Sequence, residues 1–266
     1  MDLVTWLGSA TLLIEVAGLR LLTDPVLDSA GTEWALNPRL PQPSLRYRSL
    51  SGPALDADAL GPLDAVLLSH DQHRDNFDLA GRRVAARATC ILTTELGASR
   101  LAARGLAQAR GLAPGQHVEL HGPCGTVRIT AMPAYHARAG ARWLAGPVIG
   151  FLIEALGRRH YVSGDTVWFD GLREMARQRP IDTLFVHLGA ARFGRGLLRR
   201  CAHWSFTAEE SARLSQVVQP RRIVPIHYEG WSHFTEGLAE IEIAYRQANM
   251  ADRLVVLPRG GALNWA

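Results

Sequence analysis

Residues 3–25 alternate apolar and polar positions in short stretches broken at Gly8 and Gly18, which predicts a hairpin-rich opening. AVLLS (65–69) is an unbroken apolar run and reads as a buried strand. TCILTTE (89–95) reads as another strand, and HVEL (117–120), TVRITAMPA (126–134) and PVIGFLIEA (147–155) as an antiparallel meander running into HYVSG (160–164). TLFVHLG (183–189), RIVPI (222–226) and RLVVLP (253–258) complete the strands, the last as the closing one. Helical patterns fall near 78–88, over GASRLAARG (97–105) with its terminal glycine, near 170–178, over 205–220 and over 235–249. The fourth of these carries Thr207 as an N-cap with Glu210 three residues later. Between them, residues 28–62 hold Pro38, Pro41, Pro43, Pro53 and Pro62, a density that forbids a regular helix or central strand. Strands followed by helices, twice over, predict an α+β fold: a four-layer αββα sandwich of two mixed β-sheets with helices on the outer faces. Residues 1–266 are expected to form a single domain.

Composition narrows the chemistry. With 47% hydrophobic residues among 266, the chain can bury a large core. It has no run of 18 apolar residues, so no transmembrane segment is expected, and MDLVTW carries an acid where a signal peptide would carry positive charge. The expected location is the cytoplasm, in keeping with three cysteines, Cys90, Cys124 and Cys201, at no metal-like spacing. All 29 basic residues are arginine, which removes Schiff-base chemistry through a lysine amine. A formal charge of +4, spread along the chain, gives no support to nucleic-acid binding.

The candidate chemistry gathers at strand ends. SHDQHRDNFD (69–78) places His70, His73, Asp75 and Asn76 directly after AVLLS, and three later strand-like stretches deliver His136, Asp165 and His227. Imidazole and carboxylate are the donors a borderline divalent metal takes. A histidine after a strand is commonly structural, but four such ends in one chain point to convergence on a metal. His187 lies inside its strand and reads as a core residue, or one that fixes a neighbour's tautomer, rather than a ligand.

On these residues, with WLGSATLLIEVAGLRLLTDPVL (6–27) and YEGWSHF (228–234), the chain resembles the metallo-β-lactamase-fold hydrolases. The resemblance looks closest to the branch containing ascorbate-6-phosphate lactonase and the phospholipase D that cleaves N-acyl phosphatidylethanolamine. It runs over essentially the whole chain and implies one or two divalent ions, zinc or manganese. His70, His73 and His136 would form a first metal position; Asp75, His227 and Asn76 a second, with Asp165 bridging. The run departs from the family's HxHxDH spacing. One extra residue before His73 restores the order, whereas the alternative register uses Gln72 and then puts Arg74, which cannot ligate, in the carboxylate place. Asn76 stands where the last histidine is expected; an amide oxygen is a harder, weaker donor, and Asn76 reads equally as a ligand or as a residue that merely turns the chain.

The implied reaction is hydrolysis of an ester-type bond, a lactone or a phosphodiester, by metal-activated water. Asp75 would orient the water and relay a proton, and His233 reads either as a donor to the leaving group or a substrate oxygen or, equally, as a structural histidine of its loop. No GxSxG nucleophile competes. Residues 28–50 are expected to form a rim or lid, or else a packed surface loop. Arg192, Arg195, Arg199 and Arg200 in the 190–204 loop mildly favour an anionic small molecule, though solvated charges fit as well. The alternative function is a catalytically weakened or non-catalytic metal- or ligand-binding relative, in which the altered ligand run marks lost activity.

Overall fold

Two tight reversals start the fold. β1 (Leu3–Gly8) turns into β2 (Thr11–Val16), which reverses at Ala17 and Gly18 into β3 (Leu19–Thr23). Both reversing residues have positive φ, 53° and 76°, as a two-residue hairpin turn demands, and a Cβ on Gly18 would lie 2.5 Å from the ring of Pro123. The computed structural model describes residues 2–35, 46–137, 145–178, 180–193 and 202–265. Residues 36–45 of the expected rim, with Pro38, Pro41 and Pro43, and Arg195, Arg199 and Arg200 of the arginine loop, lie outside the described residues.

Next come β4 (Glu33–Ala35) and β5 (Arg46–Arg48), a small antiparallel pair of their own. The proline-rich stretch was expected to hold no regular helix or central strand, and this pair, a two-stranded sheet of its own, is neither. The prolines fall between these two arms or after them, so the arms keep their N–H groups and pair. The chain continues through β6 (Ala65–Leu67), α1 (Leu79–Ala85), β7 (Cys90–Thr94), α2 (Glu95–Ala102) and β8 (Ala109–Leu112). Then follow β9 (His117–Gly122), β10 (Gly125–Pro133), β11 (Ile149–Ala155), β12 (Arg158–Val162), α3 (Asp170–Gln178) and β13 (Thr183–His187). The last elements are α4 (Ala208–Val218), β14 (Arg222–Ile226), α5 (Leu238–Gln247) and β15 (Ala262–Asn264). Thr207 caps α4 as expected, its hydroxyl accepting from the Glu210 N–H at 3.1 Å.

The strands make two large mixed sheets, ordered β15-β1-β2-β3-β6-β7-β8 and β14-β13-β12-β11-β10-β9. In the first, β15 through β3 run antiparallel and β3 through β8 parallel. In the second, β9 through β12 form the expected antiparallel meander and β12 through β14 are parallel. Alternate residues of β2 choose faces: Leu12 and Ile14 join the core between the sheets with Phe151, Ile153 and Leu184, while Leu13 packs with Val84 and Leu101 of α1 and α2. The αββα sandwich is therefore present. Two strands differ from expectation. RLVVLP makes only one bridge, Leu254 to Ile223, because a short 3-10 turn occupies its start and Pro258 has no N–H to continue the ladder; the closing strand is β15, paired with β1. β8 was not expected, since ARGL neither alternates nor runs apolar. Among the described residues no helix is long and apolar enough to cross a membrane.

Candidate metal centre

Parallel strands deliver all their C-terminal ends to one side, and here the parallel halves of both sheets meet. β3 and β6 lead into Asp24 and His70; β12, β13 and β14 lead into Asp165, His187 and His227. The loop after β6 adds His73, Asp75 and Asn76, and the segment after β10 adds His136; all nine residues are buried. Backbone strain marks the same rim. Asp24 and His227 have φ of 30° and 58°, values that L-residues adopt at a cost, and His227 is held there by its N–H donating to Ser9 O at 2.9 Å. Gly164, before Asp165, has φ 62°, and a Cβ there would lie 2.6 Å from the Ile149 carbonyl.

Side-chain donors form two groups, His70 with His73 and His136, and Asp75 with Asp165 and His227; within each group the atoms lie within 4.8 Å of one another. In the histidine group, His73 Nδ1 is 2.7 Å from His136 Nε2 and 3.2 Å from His70 Nε2. His136 Nδ1 donates to the Trp204 carbonyl, so its Nε2 is a bare lone pair. His73 Nδ1 has at most one hydrogen and cannot serve both neighbours. Converging nitrogen lone pairs in a dry site call for a cation, and these residues fit one. Burial, followed by the neighbouring histidines, pushes His136 down to about 3 and His70 well below the usual imidazole range, which keeps the rings neutral and able to ligate.

Gln72 does not join this group. Its amide donates to the carbonyls of Ala145 and Pro147, each at 2.9 Å, and accepts from Arg100, which is also paired with the buried Asp71. The structure thus brings His73, and not Gln72, to His70 and His136.

The carboxylate group is built differently. His227 Nδ1 lies 3.3 Å from Asp165 Oδ1, and its Nε2 lies 3.7 Å from Asp75 Oδ2. Both Asp165 oxygens, Asp75 Oδ1 and His227 Nε2 are buried without a hydrogen-bond partner, atoms that a metal would satisfy. Burial, then the charges of Asp75 and Asp24, push Asp165 well above the usual carboxylate range. For Asp75 burial acts upward too, but a hydrogen bond from His233 Nε2 to Oδ2 at 2.8 Å, with the electrostatic pull of that same side chain, outweighs it and holds the carboxyl well below its ordinary value. Asn76 lies against Asp24 and Asp165, favouring their charged forms, yet neither of its amide atoms completes a hydrogen bond of normal geometry.

Aromatic rings cover His233. Phe193 stacks on it at 4.7 Å between ring centroids, and Tyr47 from β5 meets it edge-on at 4.9 Å. Of the expected rim, then, Tyr47 reaches the centre, and its hydroxyl accepts from the Arg74 N–H at 3.1 Å. On the other side a cavity of about 970 Å³ opens at His73 and His136, lined also by Leu96, Leu112, Tyr135 and Pro147. Sequence reasoning missed Asp24 and His187 as members of this cluster. Asp24 had the same signature as Asp165, an acid at a strand end.

The chain is similar over its length to metal-dependent hydrolases. A UPF0173 metal-dependent hydrolase of Caldivirga maquilingensis is 23% identical over 265 residues, covering 99% of this chain and 98% of the relative. One from Carboxydothermus hydrogenoformans is 24% identical, covering 95% and 96%. Among solved structures, an isothiocyanate hydrolase from Delia radicum gut bacteria has a TM-score of 0.81 at 22% identity, covering 99% of both chains. The metallo hydrolase Igni18 from Ignicoccus hospitalis has a TM-score of 0.68 at 18% identity, covering 98% of this chain and 97% of that one. These likenesses bear on the fold. The family model described as a beta-lactamase superfamily domain matches residues 19–228, the span from β3 to just past His227, and the chain belongs to that family.

Proposed function

We propose that the protein is a metal-dependent hydrolase that cleaves an ester-type bond, a lactone or a phosphodiester, in a small molecule. The observation that carries the reading is the convergence of three neutral imidazoles beside a carboxylate group in which both Asp165 oxygens and Asp75 Oδ1 have no hydrogen-bond partner. His70, His73 and His136 would hold one divalent ion, and Asp75, Asp165 and His227 a second. The all-nitrogen set suits zinc; the oxygen-rich one suits manganese as well. A divalent ion, when bound, acidifies water and polarises a carbonyl or phosphoryl oxygen.

The chain's own groups do the rest. Asp75 stays ionised and accepts a hydrogen bond, so it can orient water; His233, joined to it through Nε2, can carry the proton to a leaving group. Tyr47 and Phe193 hold the His233 ring and keep bulk water from it. The cavity at His73 and His136 receives the substrate. Its only cation among the described lining residues, Arg100, is engaged by Asp71 and Gln72, so this wall suits an apolar body. A reducing, cytoplasmic setting accords with the buried free thiol of Cys90.

The test is elemental analysis of protein purified from unsupplemented medium, with turnover of generic lactones and bis-aryl phosphodiesters before and after adding zinc or manganese. Bound metal and metal-stimulated cleavage support the proposal. Bound metal with no cleavage of either ester class favours the binding-only alternative, and absence of metal even after supplementation defeats the hydrolase proposal.

A further inference from the structure

Beside the two groups lies a pair of buried donors that neither group uses. His187 Nε2 is 3.4 Å from Asp24 Oδ2, and neither atom has a hydrogen-bond partner. The tautomer follows from the far side of the ring. Ser163 Oγ has one hydrogen and gives it to the Gly164 carbonyl at 2.9 Å, so the same oxygen must accept from the His187 backbone N–H at 2.9 Å and from His187 Nδ1 at 3.3 Å. Nδ1 therefore carries the ring hydrogen and Nε2 is a lone pair. Asp24 Oδ1 is already occupied by the Ser69 N–H at 2.7 Å, which leaves Oδ2 facing that lone pair. Two acceptors opposed across a dry gap repel unless a cation or a proton joins them. The pair also abuts the carboxylate group: Asn76 lies against both Asp24 and Asp165, and the His187 and His227 ring centroids are 5.4 Å apart.

We propose that Asp24 Oδ2 and His187 Nε2 are ligands of the divalent ion on the Asp165 side of the centre. This rests on the metal reading of the proposed function and extends it. Charge supports it: deprotonated, Asp24, Asp75 and Asp165 would bring three negative charges into a region where the histidines are neutral, and two divalent ions would offset them. A proton shared between Asp24 and His187 is the competing arrangement.

Cobalt(II) distinguishes them, because an imidazole bound to it shows its remaining N–H as a strongly shifted, exchangeable proton resonance. The full chain loaded with cobalt(II) should show such resonances from five imidazoles, those of His70, His73, His136, His187 and His227; only four would overturn the proposal. His187→Gln should lose one of them and weaken binding of the second ion about 100-fold while leaving the first in place, measured by dialysis against fixed free cobalt and elemental analysis. A His187→Gln protein that keeps two ions at unchanged affinity would assign the pair to a shared proton. The wild-type resonance count stands even if the variant fails to fold. Wild-type protein that takes up no cobalt at all would instead defeat the metal reading itself.

Discussion

The two halves of the centre solve the burial of polar groups in opposite ways. In the histidine half, the outer ring nitrogens of His70 and His136 are tied to Ser69 Oγ and the Trp204 carbonyl, and the inner nitrogens of all three rings face one another. In the carboxylate half, Asp165 has no hydrogen-bond partner for either oxygen, and Asp75 is engaged by His233 through one oxygen alone. The first half is preorganised by the protein; the second is left to be completed by whatever binds. A site of this kind should hold its first ion tightly and its second more weakly and less selectively.

The largest way to break that contrast is His136→Ala. It removes one of three converging nitrogens and should empty the histidine half, with loss of metal there by elemental analysis and a fall in kcat/KM of roughly 100-fold or more. Next is His233→Asn, which leaves both ligand groups in place. Metal content should stay the same while kcat falls on the order of 100-fold with KM little changed, and a parallel loss of metal would move His233 from proton transfer to support of Asp75.

Titration without metal sharpens the contrast from another direction. His136, His187 and His227 each titrate at about 3 because of burial, below the unfolded value, so the unfolded chain binds more protons and stability is lost as pH falls below about 6.5. Asp24, raised to about 8 by burial, has the opposite sign: its contribution is full below the unfolded carboxylate value and is lost as pH rises through about 8. Chelator-treated protein should therefore be most stable in between, near pH 6 to 7, and added metal should flatten both flanks. Denaturant midpoints across pH 4 to 9, with and without metal, check this; an apo profile that is flat from pH 6.5 to 4 would contradict it. Smallest is Asn76→His, which adds an imidazole beside Asp24 and Asp165 and should tighten zinc at the carboxylate half by about tenfold without touching the histidine half. Zinc stoichiometry and affinity unchanged in that variant would remove Asn76 from the metal's reach.

How much of this the sequence revealed depended on whether a residue stood where its element visibly stopped. His70, His136, Asp165 and His227 each follow an apolar run, so the break in hydropathy marks both the strand and the donor. Asp24 follows such a run as well, but the proline after it reads as a boundary, and its role depends on β3 lying next to β6, a pairing between segments more than 40 residues apart. His187 is hidden differently: it is the last residue of a fully buried strand, and a strand pattern alone gives no reason to treat one of its side chains as chemistry. Tyr47 lies far from His233 in sequence and reaches it because β5 is tied to the segment before that histidine, the Ser232 N–H donating to the Arg48 carbonyl at 3.0 Å. β8 exists because β7 offers it an edge, a contact that propensity within ARGL does not encode.

The most direct test of the two-half account is anomalous scattering from crystals of the wild-type protein grown in zinc and, separately, in manganese. A zinc peak enclosed by His70, His73 and His136 is expected, with a second peak at Asp75, Asp165 and His227 that either metal can occupy. Crystals with no peak at either group, or with metal bound only elsewhere on the molecule, would contradict it.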